Sequence, residues 1–386
     1  MNFNKEINRY NTKSLKYDFK EEKGKPEDIF PMWVADMDFK LPENILEEIK
    51  ERVEHGIFGY SKPDDSYKEE VKKWYKKHFN IEINKDWIVN TPGIVFALAT
   101  AVKTLTKEND YVLINSPVYY PFSEVIENNN RKIISSDLVL TENYHYEINF
   151  KDLEEKIEKY KVKLYLLCSP HNPVGRVWTK EELLRVIEIC KKHNVFIVCD
   201  EIHSDFVWKG KHTSLLNFKD YQKNMLVCTA PSKTFNIAGL QVSNIFIPNN
   251  IVRENFEKEI AKTGYSLINT MGIVACEAVY KNGEEWLNEL KKYIVGNIDL
   301  VRAFLQEKLQ KVRLIEPEGT YLLWLDFRGT GLTDEEIENK MTNEAKIWLD
   351  GGNMFGTLGE RFQRINVALP REKLKWALEQ IEKAFK

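Results

Sequence analysis

The sequence predicts an α/β fold built on a mainly parallel central sheet. Between about residue 90 and residue 250, short apolar runs alternate with amphipathic segments, which is the pattern of repeated β-α-β units. Four of the runs are followed by polar or turn-forming clusters, as expected where the strands of such a sheet end at a binding site. The apolar runs are residues 111–114, 164–168, 195–199, 225–228 and 244–247.

Amphipathic segments around these runs predict the helices. Residues 67–78 place their apolar side chains on one helical face, which indicates packing against a core. Thr179 is followed three residues later by Glu182 and then by apolar residues, so a capping box should begin a helix there.

The pattern changes after about residue 290, where a second, smaller α+β unit is predicted. Its elements in chain order are a long helix, a strand over 321–327, a helix over 334–350, a glycine-rich turn and a last helix from Arg371. The N-terminal arm is expected to join this unit. We therefore expect a large domain of residues 46–289 and a small domain of residues 1–45 and 290–386.

Composition restricts the class of protein. The 386 residues are 43% hydrophobic and 12% aromatic, and 56 basic against 59 acidic residues leave a net charge of -3. This balance argues against a nucleic-acid partner and favours a small-molecule ligand. The five cysteines form no C-x-x-C pair, so we expect reduced thiols and no metal site. Without a signal peptide or a membrane-spanning run, the chain is expected to be cytoplasmic.

The polar clusters that follow the apolar runs should meet in space. Ligands bind beyond the carboxyl ends of the strands in an open α/β sheet, so these clusters predict one shared site. They are residues 115–119, 168–175, 199–203 and 229–233. Lys233 has the most distinctive chemistry among them, because an amine in a dry pocket can lose its proton near neutral pH and attack a carbonyl. An ordinary surface lysine is the alternative, and the neighbouring clusters argue against it.

Five strings, taken together and in order, resemble one enzyme family. They are PMWVADMDF (31–39), FGYS (58–61), SPHNPVGRVWT (169–179), CDEIHSDFVW (199–208) and APSKTFNIAGLQ (230–241). With these motifs, nearly the whole chain resembles the fold-type I enzymes that use pyridoxal 5′-phosphate (PLP). Within that group it is similar to the MalY/PatB-type cystathionine β-lyases, also called C–S lyases. The resemblance implies a large PLP-binding domain and a smaller α+β domain built from the two termini.

The resemblance also implies catalytic roles. Lys233 holds PLP as a Schiff base and, once the substrate amine displaces it, removes the Cα proton. Asp200 pairs with the protonated pyridine nitrogen, although the residue alone is also compatible with a helix N-cap. Tyr119 stacks on the ring, and its choice over the adjacent Tyr120 rests on the resemblance. Asn172 hydrogen-bonds O3′ of the cofactor, whereas Asn-Pro by itself indicates only a turn.

The cofactor phosphate is expected at the start of a helix. Backbone amides of Gly93, Ile94 and Val95 should surround the dianion. The hydroxyl of Thr229 or of Ser232 is expected to add a donor.

Two more features of the phosphate site come from the resemblance. It brings Tyr60 from a partner subunit, so a homodimer with shared active sites is expected. Gln241 stands eight residues after the lysine, where many aminotransferases carry a phosphate-binding arginine. This departure resembles the MalY/PatB branch and leaves open which residue balances the phosphate charge.

The resemblance assigns the substrate α-carboxylate to Arg364, whose planar fork suits two-pronged binding. Arg361 is a rival from the residues alone. The substrate pocket is expected to be lined by Trp33, Ala35, Asp36 and Asn172. His203 is expected near the cofactor behind Asp200, with a structural histidine as the alternative, and His171 is given no chemical role.

A site of this kind predicts chemistry on an amino-acid substrate. If the β-carbon bears sulfur, a thiolate can leave after Cα deprotonation, and pyruvate and ammonia follow, which defines a C–S β-lyase. The same residues can instead support transamination with a 2-oxo acid, so an aminotransferase is the alternative. A non-catalytic regulatory protein is a third hypothesis. The sequence argues against it, because a decayed cofactor site would have no reason to keep all four functional residues, which are Asn172, Asp200, Lys233 and Arg364.

Overall fold

The computed structural model describes residues 1–386 and contains fifteen β-strands and twelve α-helices. The strands are β1 (Phe30–Pro31), β2 (Ile88–Thr91), β3 (Tyr111–Ile114), β4 (Lys132–Ser135), β5 (Val139–Leu140), β6 (Tyr146–Glu147), β7 (Leu164–Cys168), β8 (Phe196–Asp200), β9 (Met225–Thr229), β10 (Ser243–Phe246), β11 (Arg313–Ile315), β12 (Leu322–Asp326), β13 (Ile347–Trp348), β14 (Asp350–Gly351) and β15 (Phe362–Asn366). The helices are α1 (Glu43–Glu54), α2 (Asp65–Phe79), α3 (Ile94–Leu105), α4 (Pro121–Glu127), α5 (Phe150–Tyr160), α6 (Lys180–His193), α7 (Pro231–Thr234), α8 (Asn250–Lys262), α9 (Thr270–Asn282), α10 (Glu284–Lys308), α11 (Asp334–Asn339) and α12 (Arg371–Phe385).

A seven-stranded sheet confirms the predicted fold class. Its strand order is β2-β10-β9-β8-β7-β3-β4, and the pairs from β9 through β4 are all parallel. Strand β10 runs antiparallel to both β2 and β9. The five predicted apolar runs coincide with β3, β7, β8, β9 and β10 to within one residue at each end.

Both faces of this sheet are covered. Successive residues of β7 alternate between two apolar clusters, with Tyr165 and Leu167 in one and Leu164 and Leu166 in the other. A strand buried on both faces has no polar alternation, which explains its continuous apolar run. Helix α6 begins at the predicted capping box, where Thr179 and Glu182 bond reciprocally.

A four-stranded antiparallel sheet in the order β11-β12-β15-β14 forms the C-terminal part. The N-terminal arm lies beside it: β1 pairs in parallel with β13 in a separate two-stranded sheet, and the backbone N–H of Asn366 in β15 donates to the carbonyl oxygen of Met32 at 3.0 Å. The division into residues 46–289 and residues 1–45 with 290–386 remains a prediction. Helix α10 continues without a break through residues 289 and 290.

The predicted helix over residues 334–350 is wrong in its second half. Helix α11 ends at Asn339 and a wider π-helical turn continues to Glu344. Lys346 then takes a left-handed conformation with φ of 57°, which an α-helix cannot accommodate. The residues that follow form β13 and β14, since their backbone pairs with β1 and β15. None of the helices in the chain combines the length and the hydropathy that crossing a membrane requires.

Candidate active site

The carboxyl ends of the parallel strands gather the predicted polar clusters. In the register of the sheet, Cys168 of β7 pairs with Asp200 of β8, which pairs with Cys228 of β9. The loops after these strands therefore begin side by side. The loop after β3 joins them, because the backbone N–H of Tyr119 donates to the carbonyl oxygen of Asn172 at 3.1 Å.

Lys233 lies in the short helix α7, four residues after the end of β9. Its Nζ donates to the carbonyl oxygen of Ala35 at 2.8 Å, and the hydroxyl of Tyr321 donates to the same oxygen at 3.1 Å. Burial lowers the pKa of the Lys233 amine to about 8, opposed by Asp36 and Asp200. The amine is therefore poised to lose its proton near neutral pH.

Asp200 ends β8 and is 4% exposed. Its Oδ1 accepts a hydrogen bond from the backbone N–H of Ile202 at 3.0 Å. Burial raises the pKa of this carboxyl to about 7, although the Ile202 bond and the charge of Lys233 lower it. A cationic ring nitrogen beside it would favour the ionised form further.

Arg364 lies in the middle of β15 and is 3% exposed. Its Nη1 donates to Oδ1 of Asn172 at 3.0 Å, and its Nη2 donates to the carbonyl oxygen of Trp33 at 3.0 Å. Nη2 also forms an ion pair with Asp350, which stands directly opposite on β14. Arg361, the rival from the sequence, is exposed and lies outside this cluster.

Helix α3 begins without a side-chain cap. Its first amides, including those of Ile94 and Val95, have no acceptor within the helix and are free to bind an anion. Its N-cap is Gly93, at which an added Cβ would meet no atom within 4 Å, so the backbone faces open space. This arrangement fits the predicted phosphate site.

The two candidate hydroxyls differ in their availability. Thr229 is fully buried and its Oγ1 donates to the carbonyl oxygen of Asn244 at 2.6 Å, so its proton is already used. The role of Thr229 as a phosphate donor remains a prediction, and in this structure its hydroxyl proton is directed to Asn244. Ser232 is half-buried and its hydroxyl has no partner within the chain, which keeps it as the candidate.

Tyr60 is 100% exposed and contacts no part of the site within one chain. Its neighbour Ser61 bonds the hydroxyl of Thr270 at 2.8 Å, at the start of α9. A role for Tyr60 in a second subunit remains a prediction. Gln241 is exposed in a left-handed conformation with φ of 48°, and its side chain forms no hydrogen bond in the chain.

Both histidines near the motifs are buried and neutral. Burial lowers the pKa of His203 to about 3 and that of His171 to about 4. His171 interacts through Nε2 with the carbonyl oxygen of Pro117 at 2.9 Å, while Nδ1 of His203 has no partner. Neither is suited to donate a proton near neutral pH. The expected contact of His203 with the cofactor remains a prediction.

The loop of residues 33–36 carries three of the predicted substrate-pocket residues. The carbonyl oxygens of Trp33 and Ala35 hold Arg364 and Lys233, and the Asp36 carboxylate pairs with Arg9 at 2.7 Å. The Trp33 ring stacks on Trp348 with centroids 4.5 Å apart, above a cleft of about 1010 Å³.

Sequence reasoning missed four residues of this cluster. They are Asp350, which pairs with Arg364; Tyr321, which shares the Ala35 carbonyl; Trp348, which stacks on Trp33; and Asn366, whose Nδ2 donates to two carbonyls of the loop. Their contacts come from strand pairing and loop docking between distant segments. No local motif marks them.

These residues fit PLP. The uncapped amides of α3 suit a phosphate dianion, and the buried carboxylate of Asp200 suits a protonated pyridine nitrogen. The lowered pKa of the Lys233 amine favours the neutral form that bonds to an aldehyde. Tyr119 is half-buried in the adjoining loop, and its predicted stacking on the ring is compatible with that position.

Comparison with known proteins agrees with this site. The model of the family "Aminotransferase class I and II" matches residues 27–381. Cystathionine beta-lyase PatB of Bacillus subtilis is 42% identical over 387 residues, which cover 100% of both chains. A PLP-bound protein of Clostridium difficile 630, provisionally described as an aminotransferase, has a TM-score of 0.98 and 43% identity, again over 100% of both chains.

A PLP-bound C–S lyase of Staphylococcus hominis has a TM-score of 0.92 and 32% identity, covering 100% of this chain and 98% of that one. These relatives match in length as well as in fold, so the similarity includes the N-terminal arm, both sheets and the loops of the site. The chain therefore belongs to the aminotransferase class I and II family.

Proposed function

We propose that this protein is a PLP-dependent C–S β-lyase, which cleaves cystathionine or other cysteine S-conjugates to a thiol, pyruvate and ammonia. The main support for this proposal is that Lys233, with a pKa lowered to about 8, lies in one site with the buried Asp200 and Arg364. Full-length similarity to a cystathionine β-lyase and to a C–S lyase favours this reaction over transamination.

When bound, PLP supplies an electron-poor ring that stabilises negative charge on the Cα atom of an amino acid. The amides at the start of α3 and the hydroxyl of Ser232 would hold its phosphate, and Asp200 its ring nitrogen. Asn172 would contact its phenolic oxygen while its own Oδ1 stays bonded to Arg364.

Lys233 acts as the base. A neutral amine accepts the Cα proton, and the lowered pKa of Lys233 makes that form more abundant near neutral pH than it is for an ordinary lysine. The carbonyl oxygen of Ala35 holds Nζ at 2.8 Å, which keeps the amine inside the site when it is not bonded to another group.

Arg364 orients the substrate through its α-carboxylate. Its guanidinium is held by Asn172 and Trp33, and a preorganised planar fork loses little freedom on binding. Holding the carboxylate on Arg364 places the Cα–H bond near Lys233. The C–S bond of the β-carbon then breaks, and the sulfur leaves as a thiolate, whose ordinary pKa of about 8.5 makes it a far better leaving group than hydroxide.

We further propose a homodimer with shared active sites. Ile57, Phe58 and Tyr60 are 67%, 57% and 100% exposed within one segment, and a group of exposed apolar side chains is typical of a surface that a partner covers. Sedimentation of the purified protein would test this, since a monomer at micromolar concentration contradicts it.

We also propose a cytoplasmic location. All five cysteines are free and buried, and reduced thiols are typical of cytoplasmic proteins.

Product analysis tests the proposed reaction. With cystathionine alone, the PLP-loaded protein should release a thiol and pyruvate in equal amounts without any 2-oxo acid. With an amino acid and 2-oxoglutarate, glutamate should form much more slowly. Formation of glutamate without thiol release from cystathionine would make the protein an aminotransferase.

A further inference from the structure

Both N–H groups of Arg364 Nη2 already have hydrogen-bond acceptors, and every bidentate contact with a carboxylate uses Nη2. A guanidinium offers two bidentate edges, Nε with Nη2 and Nη1 with Nη2, and both include Nη2. In this structure Nη2 donates to the carbonyl oxygen of Trp33 at 3.0 Å and to Oδ2 of Asp350. Its two N–H groups therefore both have acceptors.

The rest of the guanidinium is only partly used. Nη1 donates to Oδ1 of Asn172 at 3.0 Å, whereas Nε is buried and has no acceptor. A buried N–H without a partner is costly and is ready for an incoming oxygen. An arriving carboxylate can thus bind Nε directly, but it must displace one of the two acceptors at Nη2 to bind bidentately.

The acceptor at Trp33 is fixed by its backbone. The next carbonyls of the loop, at Val34 and Asp36, both accept from Nδ2 of Asn366, at 2.7 and 2.6 Å. Moving the Trp33 carbonyl would disturb these bonds and the contact of Ala35 with Lys233.

The acceptor at Asp350 is held by a single partner. Its side chain bonds only to Arg364, and although it is 3% exposed it forms part of the wall of the cleft of about 1010 Å³. Burial raises the pKa of this carboxyl, which shows that the ionised form is costly where it stands. Lys25, which pairs with Glu338 in the wall of the same cleft, acts in the opposite direction and lowers the pKa of Asp350.

We propose that Asp350 is an internal counter-ion of Arg364 that the substrate α-carboxylate displaces, so that Asp350 sets how tightly carboxylates bind. The proposal rests on the proposed function, because it assumes that Arg364 receives an amino-acid carboxylate. The exchange conserves charge at the guanidinium, since one carboxylate leaves as another arrives. No covalent bond forms or breaks.

Calorimetric titration of the PLP-loaded protein tests this role. The probe is 3-(methylthio)propionate, which has the carboxylate and a thioether but no amine to react with the cofactor. The uncharged control is 3-(methylthio)propanamide. The Asp350→Asn variant should bind the carboxylate at least fivefold more tightly than the wild type, with the affinity for the amide unchanged. Asp350→Glu keeps a competing charge and should show no such gain.

Kinetics with cystathionine give a second measurement. In Asp350→Asn, KM should fall by a similar factor while kcat does not rise, since only the competition for Arg364 is removed. A residue that merely supports the fold would instead lower kcat with no gain in carboxylate affinity. If the asparagine variant does not fold, Asp350→Ser removes the same charge and tests the same expectation.

Equal or weaker binding of the carboxylate to Asp350→Asn would overturn the proposal, as would an equal gain for the amide. Failure of the proposed function has a different appearance. A protein whose variant binds the carboxylate more tightly, but which releases no thiol from cystathionine, would keep the counter-ion role and lose the lyase assignment.

Discussion

The ε-amine of Lys233 and the carbonyl oxygen of Ala35 lie 2.8 Å apart and form a hydrogen bond. Two residues earlier in the same loop, the carbonyl oxygen of Trp33 holds Nη2 of Arg364 at 3.0 Å. One short backbone segment thus positions both the base and the cation that orients the substrate. The relative placement of these two groups depends on this loop.

The pKa of Lys233 predicts how the cofactor-free protein takes up PLP. Only the neutral amine attacks an aldehyde, and an amine becomes neutral as the pH rises through its pKa. The uptake rate should therefore increase with pH and level off above a midpoint near the Lys233 pKa of about 8. Stopped-flow absorbance measures this rate. A midpoint near 10.5, the ordinary lysine value, would contradict the lowered pKa.

Asp36 and Asp38 form a matched pair for testing what sets that midpoint. Both carboxylates bond to Arg9 and lie near Lys16, but only Asp36 acts on Lys233, raising its pKa. Asp36→Asn should move the midpoint of PLP uptake to lower pH, because a carboxylate that favours the charged amine is removed. Asp38→Asn should leave the midpoint in place. Equal shifts in both variants would assign the effect to the arm as a whole.

Asp200 should be needed for turnover more than for stability. Replacing its carboxylate by an amide removes the charge that keeps the cofactor ring cationic, so Asp200→Asn should lower kcat by about 10²-fold or more. Glu201→Gln is the control, because this neighbouring buried carboxylate binds His212 and the backbone of Leu215 instead. It should reduce the free energy of unfolding and keep kcat per bound cofactor. Full activity in Asp200→Asn would refute the role.

Arg364 should determine substrate affinity. Lysine keeps the charge but cannot form two parallel hydrogen bonds, and a charge-assisted bond contributes about 1.5–3 kcal/mol. Arg364→Lys should therefore raise KM for cystathionine by roughly one to two orders of magnitude. Arg361→Lys, at the exposed rival position, should leave KM unchanged. If the two variants behaved in the opposite way, the carboxylate site would be at Arg361.

Much of the central sheet could be predicted because its strands are buried on both faces and form continuous apolar runs. Two of its seven strands, β2 and β4, were missed. Strand β4 is only partly buried, and β2 contains Asn90, so neither forms a long apolar run. The antiparallel direction of β10 was also not foreseen, because strand direction depends on connections and not on composition.

Some residues of the candidate site could be predicted from the sequence and others could not. Asp200 ends β8, and Asn172 and Lys233 each lie four residues after the end of a strand, so their place at one edge of the sheet could be predicted. Asp350 could not be found in this manner, since its contact with Arg364 arises from the pairing of β14 with β15. The hydrogen bond of Thr229 to Asn244 was likewise not foreseen, because it depends on the register of β9 and β10.

The central claim is that this chain cleaves a C–S bond with Lys233 as the base. The most direct measurement is pyruvate release from cystathionine by the PLP-loaded wild type and by Lys233→Ala, with no 2-oxo acid present. We predict steady pyruvate release by the wild type and a loss of at least about 10³-fold in the variant. Pyruvate release at comparable rates by both proteins, or by neither, would contradict the account.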